Sequence, residues 1–216
     1  MNRFKSLTLA LAVLSAVLAL LPEAAHAQLK QGTDYTEMKA THPVEVPGKV
    51  EVVEFFWYRC PHCYSLEPVL EAWVKKLPAD VHFRRIPAVL SDNWAIDARI
   101  FYAFEALGVL DKVHKSFFDA IHRDKLNIAS EPAMNEWLQK NGIDRKKFDD
   151  AVKSFGVQAK VKRAAQLSVG YQLDGVPLLA VQGKYTVSAE QGGTQNGMLA
   201  TTDHLIEMAR KGLGKK

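Results

Sequence analysis

The chain has 216 residues, with 28 lysines and arginines against 24 aspartates and glutamates, and a formal net charge of +4. Its densest basic stretch, residues 153–163, alternates with apolar residues, which is typical of a solvated helix face. Nucleic-acid-binding surfaces concentrate their basic residues more strongly, so the composition argues against a nucleic-acid partner. The sequence contains no repeat of fixed period and no low-complexity linker.

Residues 1–27 have the pattern of a secretory signal peptide. A positively charged start precedes an apolar run over residues 7–21, and Ala25-His26-Ala27 fits the rule for a cleavage site. The apolar run is short for a membrane-spanning helix, which needs about 20 residues. We therefore expect cleavage and export, with a bacterial periplasm as the destination; a retained membrane anchor is the alternative. Outside the cytosol a cysteine pair can stay oxidised.

Residues 50–58 predict a β-strand in the centre of a sheet. They are rich in β-branched and aromatic residues, and both faces are apolar apart from the glutamates. A helical period then follows, and Pro61 stands where a first helical residue tolerates proline, so Cys60 is the predicted N-cap. Pro68 lies inside this helix and predicts a kink. A second strand is expected over residues 81–89.

A long helical stretch occupies the middle of the chain, from residue 93 to residue 170. Four of its five predicted helices end at glycines suited to a left-handed cap, Gly108, Gly142, Gly156 and Gly170. Strand patterns return in a hairpin over residues 176–187 with a turn at Gln182-Gly183, and a last helix is expected over residues 198–211. The order of elements predicts one α/β domain interrupted by a helical insertion.

The two cysteines of the chain, Cys60 and Cys63, are separated by Pro61 and His62. A disulfide between them closes a loop of only four residues, worth about 2 kcal/mol in the chain-entropy model against about 5 kcal/mol for a domain-sized loop. This spacing therefore favours redox chemistry over a structural bridge. An inert bridge and metal binding are the alternatives.

The predicted place of Cys60 at a helix N-terminus favours its thiolate. Unpaired backbone N–H groups and the positive end of the helix dipole stabilise a negative charge there. His62 adds a donor or a positive charge, although it can also be a surface residue without a role, and Pro61 stiffens the turn. Cys63 is expected to be more buried and to act as the resolving thiol. A stable Cys60 thiolate makes the disulfide an oxidant.

Two further residues are candidates for the site. Glu54 shares strand parity with Val52 and Phe56, so we expect it in apolar surroundings, where its pKa is raised and it can relay the proton of Cys63. A partly solvated strand residue is the alternative. Pro177 follows Gly175-Val176 and either opens a strand in the ordinary way or marks a cis peptide bond.

The residues from Glu54 to Tyr64, with the quartet Cys60-Pro61-His62-Cys63, and the later Val176-Pro177 resemble the DsbA family of periplasmic thiol:disulfide oxidoreductases. The resemblance extends from about residue 34 to the last helix. It implies a thioredoxin fold interrupted by an all-helical domain. The expected boundaries are residues 28–90 and 170–216 for the thioredoxin-like domain, and residues 91–169 for the helical insertion.

The resemblance also implies roles for the candidate residues. Val176-Pro177 is expected to be cis and to face the active-site disulfide, with Gly175 and the backbone of Val176 beside an extended segment of substrate. Glu54 is expected to be the buried proton relay. The family carries a lysine near that glutamate, whereas this chain offers Arg84 or Arg85, and an arginine does not deprotonate.

The implied activity is donation of the Cys60–Cys63 disulfide to folding secreted proteins with free cysteines, without any other cofactor or metal. A membrane quinone-linked partner of the DsbB type is expected to reoxidise the pair, and nothing in the sequence demands more than a monomer. The apolar groove expected near the site gives Trp57 and Tyr58 two possible places, its lining or the core. Core packing is the favoured interpretation for both.

Three other hypotheses remain open. The first is a reductase or isomerase of the same fold, although no dimerisation segment precedes residue 51. The second is a metal carrier that uses Cys60, Cys63 and His62, too few ligands for a closed tetrahedral site. The third is a binding or chaperone module with an incidental disulfide.

Overall fold

The computed structural model describes residues 29–213, so the predicted signal peptide lies outside the described residues. Within these residues, no helix combines the length and the apolar character needed to cross a membrane.

A mixed five-stranded sheet forms the centre of the fold. Its strands are β1 (Thr36–Glu37), β2 (Val50–Phe56), β3 (Val81–Pro87), β4 (Leu178–Val181) and β5 (Tyr185–Ser188). Their order across the sheet is β1-β5-β4-β2-β3. Strands β2 and β3 are parallel, and the other neighbours are antiparallel. Every residue of β2 is buried, which confirms the prediction of a strand covered on both faces.

Eight helices surround the sheet in the described part of the chain. They are α1 (Pro61–Val74), α2 (Asp92–Ala106), α3 (Leu110–His122), α4 (Glu131–Lys140), α5 (Arg145–Lys153), α6 (Phe155–Gly170), α7 (Ala189–Gly192) and α8 (Gln195–Leu213). Helices α2 to α6 all lie between β3 and β4 in the chain. The predicted fold class, a thioredoxin fold interrupted by inserted helices, is confirmed.

The ends of the inserted helices differ in part from the prediction. Gly108 and Gly142 have the expected left-handed conformation, with φ values of 68° and 71°. Gly156 instead lies in the first turn of α6, because Ser154 both ends α5 and caps α6 by accepting a hydrogen bond from the N–H of Val157. Gly170 is the last residue of α6 rather than its left-handed cap.

Two clusters of buried side chains fill the space on the two sides of the sheet. One contains Val53 and Phe55 of β2 together with the aromatic residues of α2 and α3, and it includes both cysteines. The other contains Val52 of β2 with residues of α1 and α8. The cysteine pair therefore lies where the sheet, α1 and the inserted helices meet.

Candidate active site

Cys60 is the N-cap of α1, as the sequence predicts. Its backbone is extended (φ −82°, ψ 117°), and Pro61 occupies the first turn of the helix. The Cys60 sulfur accepts a hydrogen bond from the backbone N–H of Cys63 at 3.4 Å. A short loop from β2 thus delivers the sulfur directly onto the N-terminus of a helix, where a negative charge is favoured.

The two cysteines have opposite acidities. The hydrogen bond from the Cys63 thiol, helped by the backbone N–H groups of Cys63 and His62 and by the charge of His62, lowers the pKa of Cys60 to about 6 despite its partial burial. Cys63 is fully buried, and this desolvation raises its pKa well above the ordinary value. His62 itself is exposed on the first turn. The pair therefore consists of a stabilised thiolate and a thiol that keeps its proton.

The segment Gly175-Val176-Pro177 lies against the cysteine pair. The peptide bond between Val176 and Pro177 is cis. The sulfur of Cys60 lies 3.3 Å from the carbonyl oxygen of Val176. Gly175 and Val176 are half-buried, whereas Pro177 is buried. The chain thus brings residues from two distant segments to one reactive sulfur.

Glu54 is buried within the fold, with only 1% of its surface exposed. One carboxylate oxygen accepts a hydrogen bond from Nε of Arg85 at 3.0 Å. The other oxygen, Oε1, has no hydrogen-bond partner among the described residues. Desolvation raises the pKa of Glu54 to about 8, with the Arg85 charge acting in the opposite direction. The carboxyl can therefore hold a proton near neutral pH.

Arg85 is shared among three carboxylates. Besides Glu54, its Nη2 lies 2.9 Å from both Glu67 and Glu71, two residues of α1. Arg84 faces elsewhere, with its Nε 3.1 Å from Glu51. The arginine beside the buried glutamate is thus Arg85, which the sequence left undecided between two positions.

Several contacts around the cysteines join the loop before Cys60 to α3. The hydroxyl of Tyr58 lies 2.9 Å from Nδ1 of His114, and Nε2 of His122 donates to the carbonyl oxygen of Tyr58 at 2.8 Å. The sequence analysis did not select these histidines. The signal for His114 was present, because it shares a helix face with the buried Phe117 and Phe118. Tyr58 is fully buried, as favoured, and Trp57 is half-buried.

A cavity of about 490 Å³ opens beside the pair. Residues of α1, the Pro177 segment and the start of α8 line it, among them His62, Leu66, Pro177, Thr194, Gln195 and Met198. His62 and Pro177 place this cavity close to the cysteine pair, although neither cysteine lines it.

Across residues 29–213, one group of three possible metal ligands comes together: Glu45, Glu51 and His82. Arg84 pairs with both of these glutamates, at 3.2 Å and 3.1 Å. A guanidinium therefore already compensates their charge. The group includes neither cysteine.

A thioredoxin fold with a Cys-Pro-His-Cys helix N-terminus facing a cis-proline defines a thiol:disulfide oxidoreductase. The profile of the DSBA-like thioredoxin domain matches residues 51–196. The chain belongs to the DsbA family.

Relatives and solved structures agree with this assignment. The thiol:disulfide interchange protein DsbA of Azotobacter vinelandii is 45% identical over 184 residues, which cover 85% of this chain and 86% of that protein. The crystal structure of Pseudomonas aeruginosa DsbA aligns with a TM-score of 0.82 and 39% identity, covering 87% of this chain and 97% of that one. DsbA from Xylella fastidiosa aligns with a TM-score of 0.79 and 30% identity, covering 85% and 98%.

Proposed function

We propose that this protein is a periplasmic dithiol oxidase that gives its Cys60–Cys63 disulfide to folding secreted proteins. The observation that carries the proposal is the opposite acidity of the two sulfurs. A thiolate as stable as that of Cys60 is a good leaving group, and it favours the reduced form of the pair. A protein that prefers its reduced form passes its disulfide on.

The exchange proceeds in two steps. A substrate thiolate attacks the sulfur of Cys60, the bond between Cys60 and Cys63 breaks, and its electron pair goes to the sulfur of Cys63, which takes up a proton. A second substrate thiolate then attacks the substrate sulfur of the mixed disulfide. Cys60 leaves as a thiolate, so the substrate loses two electrons and the protein dithiol gains them.

Glu54 is the proposed proton relay for Cys63. Its carboxyl is buried, holds a proton near neutral pH, and has one oxygen free of hydrogen bonds to the described residues. Because Arg85 keeps its charge, we assign it to hold Glu54 in place and not to transfer a proton. His62 and Pro61 are proposed to support the Cys60 thiolate through charge and through the fixed turn.

The substrate is proposed to bind along Gly175-Val176-Pro177 in an extended conformation. Backbone pairing of this kind recognises a peptide without demanding a sequence. The neighbouring cavity, with Leu66 and Met198 in its walls, then accepts side chains of many shapes. This combination suits an enzyme whose partners are unfolded proteins with free cysteines.

The remaining assignments are proposals of the same kind. We infer a monomer in the periplasm that acts without a bound cofactor, metal or nucleic acid and is reoxidised by a DsbB-type membrane quinone reductase. We infer a thioredoxin-like domain over residues 28–90 and 170–216 and a helical domain over residues 91–169.

The test is the equilibrium of the cysteine pair with a glutathione buffer. An oxidase requires a potential far more oxidising than that of thioredoxin, and a thioredoxin-like value would identify a reductase instead. The same protein should restore disulfide formation in cells that lack their own oxidase. The Cys60→Ser variant should not, and its success would instead support the binding-module hypothesis.

A further inference from the structure

The loop that leads into Cys60 is anchored in the inserted helices by each of its three residues. The indole of Trp57 stacks on that of Trp94 in α2, with ring centroids 4.2 Å apart and planes 5° from parallel. Tyr58 contacts α3 through its hydroxyl and its carbonyl oxygen. Arg59, the residue directly before Cys60, reaches Asp97 and Asn93 of α2.

The guanidinium of Arg59 is held on several sides. Its Nε donates to Asp97 Oδ2 at 3.1 Å and its Nη2 to Asp97 Oδ1 at 2.9 Å, a two-pronged pair. Nη2 also donates to the carbonyl oxygen of Asn93 at 2.8 Å. The ring of Trp57 lies against the guanidinium, with its centroid 4.9 Å from the central carbon. An arginine with this many partners has a fixed direction.

The burial of Asp97 makes it unfavourable for the Arg59 guanidinium to leave this position. Asp97 is 1% exposed, and Arg59 is its only ion-pair partner among the described residues. Burial raises the pKa of Asp97 to about 6, while Arg59 acts in the opposite direction, so without Arg59 the carboxyl would keep its proton and lose its ionic hydrogen bonds. Asp97 therefore holds the Arg59 guanidinium on α2, although Arg59 directly precedes Cys60 in the chain.

A free guanidinium beside Cys60 would act strongly on the thiolate. An opposite charge within a few ångströms favours the charged form of a thiol, and a more stable thiolate makes the disulfide a stronger oxidant. The groups that favour the thiolate here are instead Cys63 and His62. Arg59 is not one of these groups, and the hydrogen bonds of its guanidinium all go to Asp97 and Asn93 of α2.

We propose that Asp97 is a positioning residue for the exchange reaction, because it holds the Arg59 guanidinium against α2 and away from the sulfur of Cys60. The ion pair then limits how oxidising the disulfide becomes. This role rests on the proposed function of the same site. Its test, however, compares the pKa of Cys60 in variants with that in the unmodified protein, and this comparison is valid whether the enzyme oxidises or reduces its substrates in cells.

The test measures two quantities in three variants: the pKa of Cys60, by thiolate absorbance, and the redox equilibrium of the cysteine pair with glutathione. In Asp97→Ala the released Arg59 should lower the pKa of Cys60 by about half a unit or more and shift the equilibrium about threefold towards the reduced protein. Arg59→Met alone should leave the pKa of Cys60 unchanged, because the cation is already withdrawn. The double variant should return to the original value.

Two further variants keep the test decisive. Asp97→Asn removes the charge at nearly constant size, and it should give a smaller shift of the same sign if Asp97→Ala fails to fold. Asp150→Ala breaks an exposed pair with Lys146, 2.7 Å apart in α5, and should leave the pKa of Cys60 unchanged.

Two results would overturn the proposal. One is a folded Asp97→Ala or Asp97→Asn variant in which the pKa of Cys60 is unchanged and the reduced and oxidised forms lose the same free energy of unfolding. The other is a raised pKa of Cys60 in Arg59→Met, which would show that the cation already acts on the thiolate. A thioredoxin-like potential of the unmodified protein would defeat the proposed oxidase function while leaving these comparisons valid.

Discussion

The sulfur of Cys60 and the carbonyl oxygen of Val176, 116 positions apart in the chain, lie 3.3 Å from each other. A protonated thiol donates a hydrogen bond to this oxygen, whereas a thiolate has no proton to donate and is repelled by it. Loss of the proton therefore weakens the contact between the reactive sulfur and the segment proposed to bind substrate. The pKa of Cys60 therefore governs both the reactivity of its sulfur and how freely the Val176 carbonyl oxygen can pair with a substrate.

The acidity of Cys60 should depend on its partner in the pair. The thiol of Cys63 supplies the strongest hydrogen bond to Cys60, so its removal in Cys63→Ala should raise the pKa of Cys60 from about 6. Cys63→Ser keeps a hydroxyl donor and should raise it less. Thiolate absorbance against pH measures both. Equal values in the two variants would contradict the assigned role of the Cys63 side chain.

The stability of the reduced protein relative to that of the oxidised protein should rise with pH. The pKa of Cys60 is lowered from 9.0 to about 6 on folding, so the thiolate contribution is absent below pH 6, grows between pH 6 and pH 9, and is complete above pH 9. The four-residue disulfide adds about 2 kcal/mol to the oxidised form. We expect the reduced form to be the more stable at pH 8 and the oxidised form at pH 5. Denaturant unfolding of both forms measures this order, and a more stable oxidised form at pH 8 would contradict it.

Arg85→Met should destabilise the fold by about 3–5 kcal/mol, because it leaves buried carboxylates without their cation. Glu54 and Glu67 are the buried members of that cluster. Above pH 8, where Glu54 is ionised, the loss should be smaller in a Glu54→Gln background, which removes one of the two buried charges. Lys146→Met, at the exposed pair with Asp150, should cost no more than about 1 kcal/mol. Urea unfolding provides the comparison, with the unmodified protein, Arg85→Met, Glu54→Gln, their double variant and the control.

Glu54→Gln should slow the step in which Cys63 exchanges its proton. A positioned general acid or base contributes about a hundredfold or more, and we expect a loss of at least about tenfold in the resolution of a mixed disulfide on Cys60. Rapid mixing with a glutathione adduct isolates this step. The pKa of Cys60 should change little, and an unchanged resolution rate would remove Glu54 from the mechanism.

Filling the cavity beside the pair should weaken peptide binding without altering sulfur chemistry. Gln195 lines this cavity and is exposed, so Gln195→Trp should raise KM for a cysteine-containing peptide several-fold while the reaction with glutathione stays the same. Asn196→Trp, one residue further along, is the matched control outside the lining. Equal effects of the two variants would show that the cavity does not bind substrate.

The local parts of the site could be predicted from sequence, since they depend on neighbouring residues. The N-cap position of Cys60 followed from Pro61 and the change of period. Strand β1 was not predicted, because two residues, Thr36 and Glu37, carry no periodic signal. Helix α7, with four residues, escaped for the same reason.

The long-range parts depend on packing that a single sequence does not contain. Glu54 and Arg85 are paired across β2 and β3, whereas Arg84 points to the other face, and this choice depends on the strand register. The ion pair of Arg59 with Asp97 joins residues 38 positions apart. The sequence shows these charged residues, but it does not show which of them pair in the fold.

The anchoring of residues 57–59 in the inserted helices has a consequence for how this enzyme can be divided or rebuilt. Grafting Cys-Pro-His-Cys onto a bare thioredoxin scaffold would transfer the helix cap but none of the three anchors. The four-residue motif therefore depends on two parts of the chain, the loop that ends at Cys60 and the inserted helices that hold this loop in place.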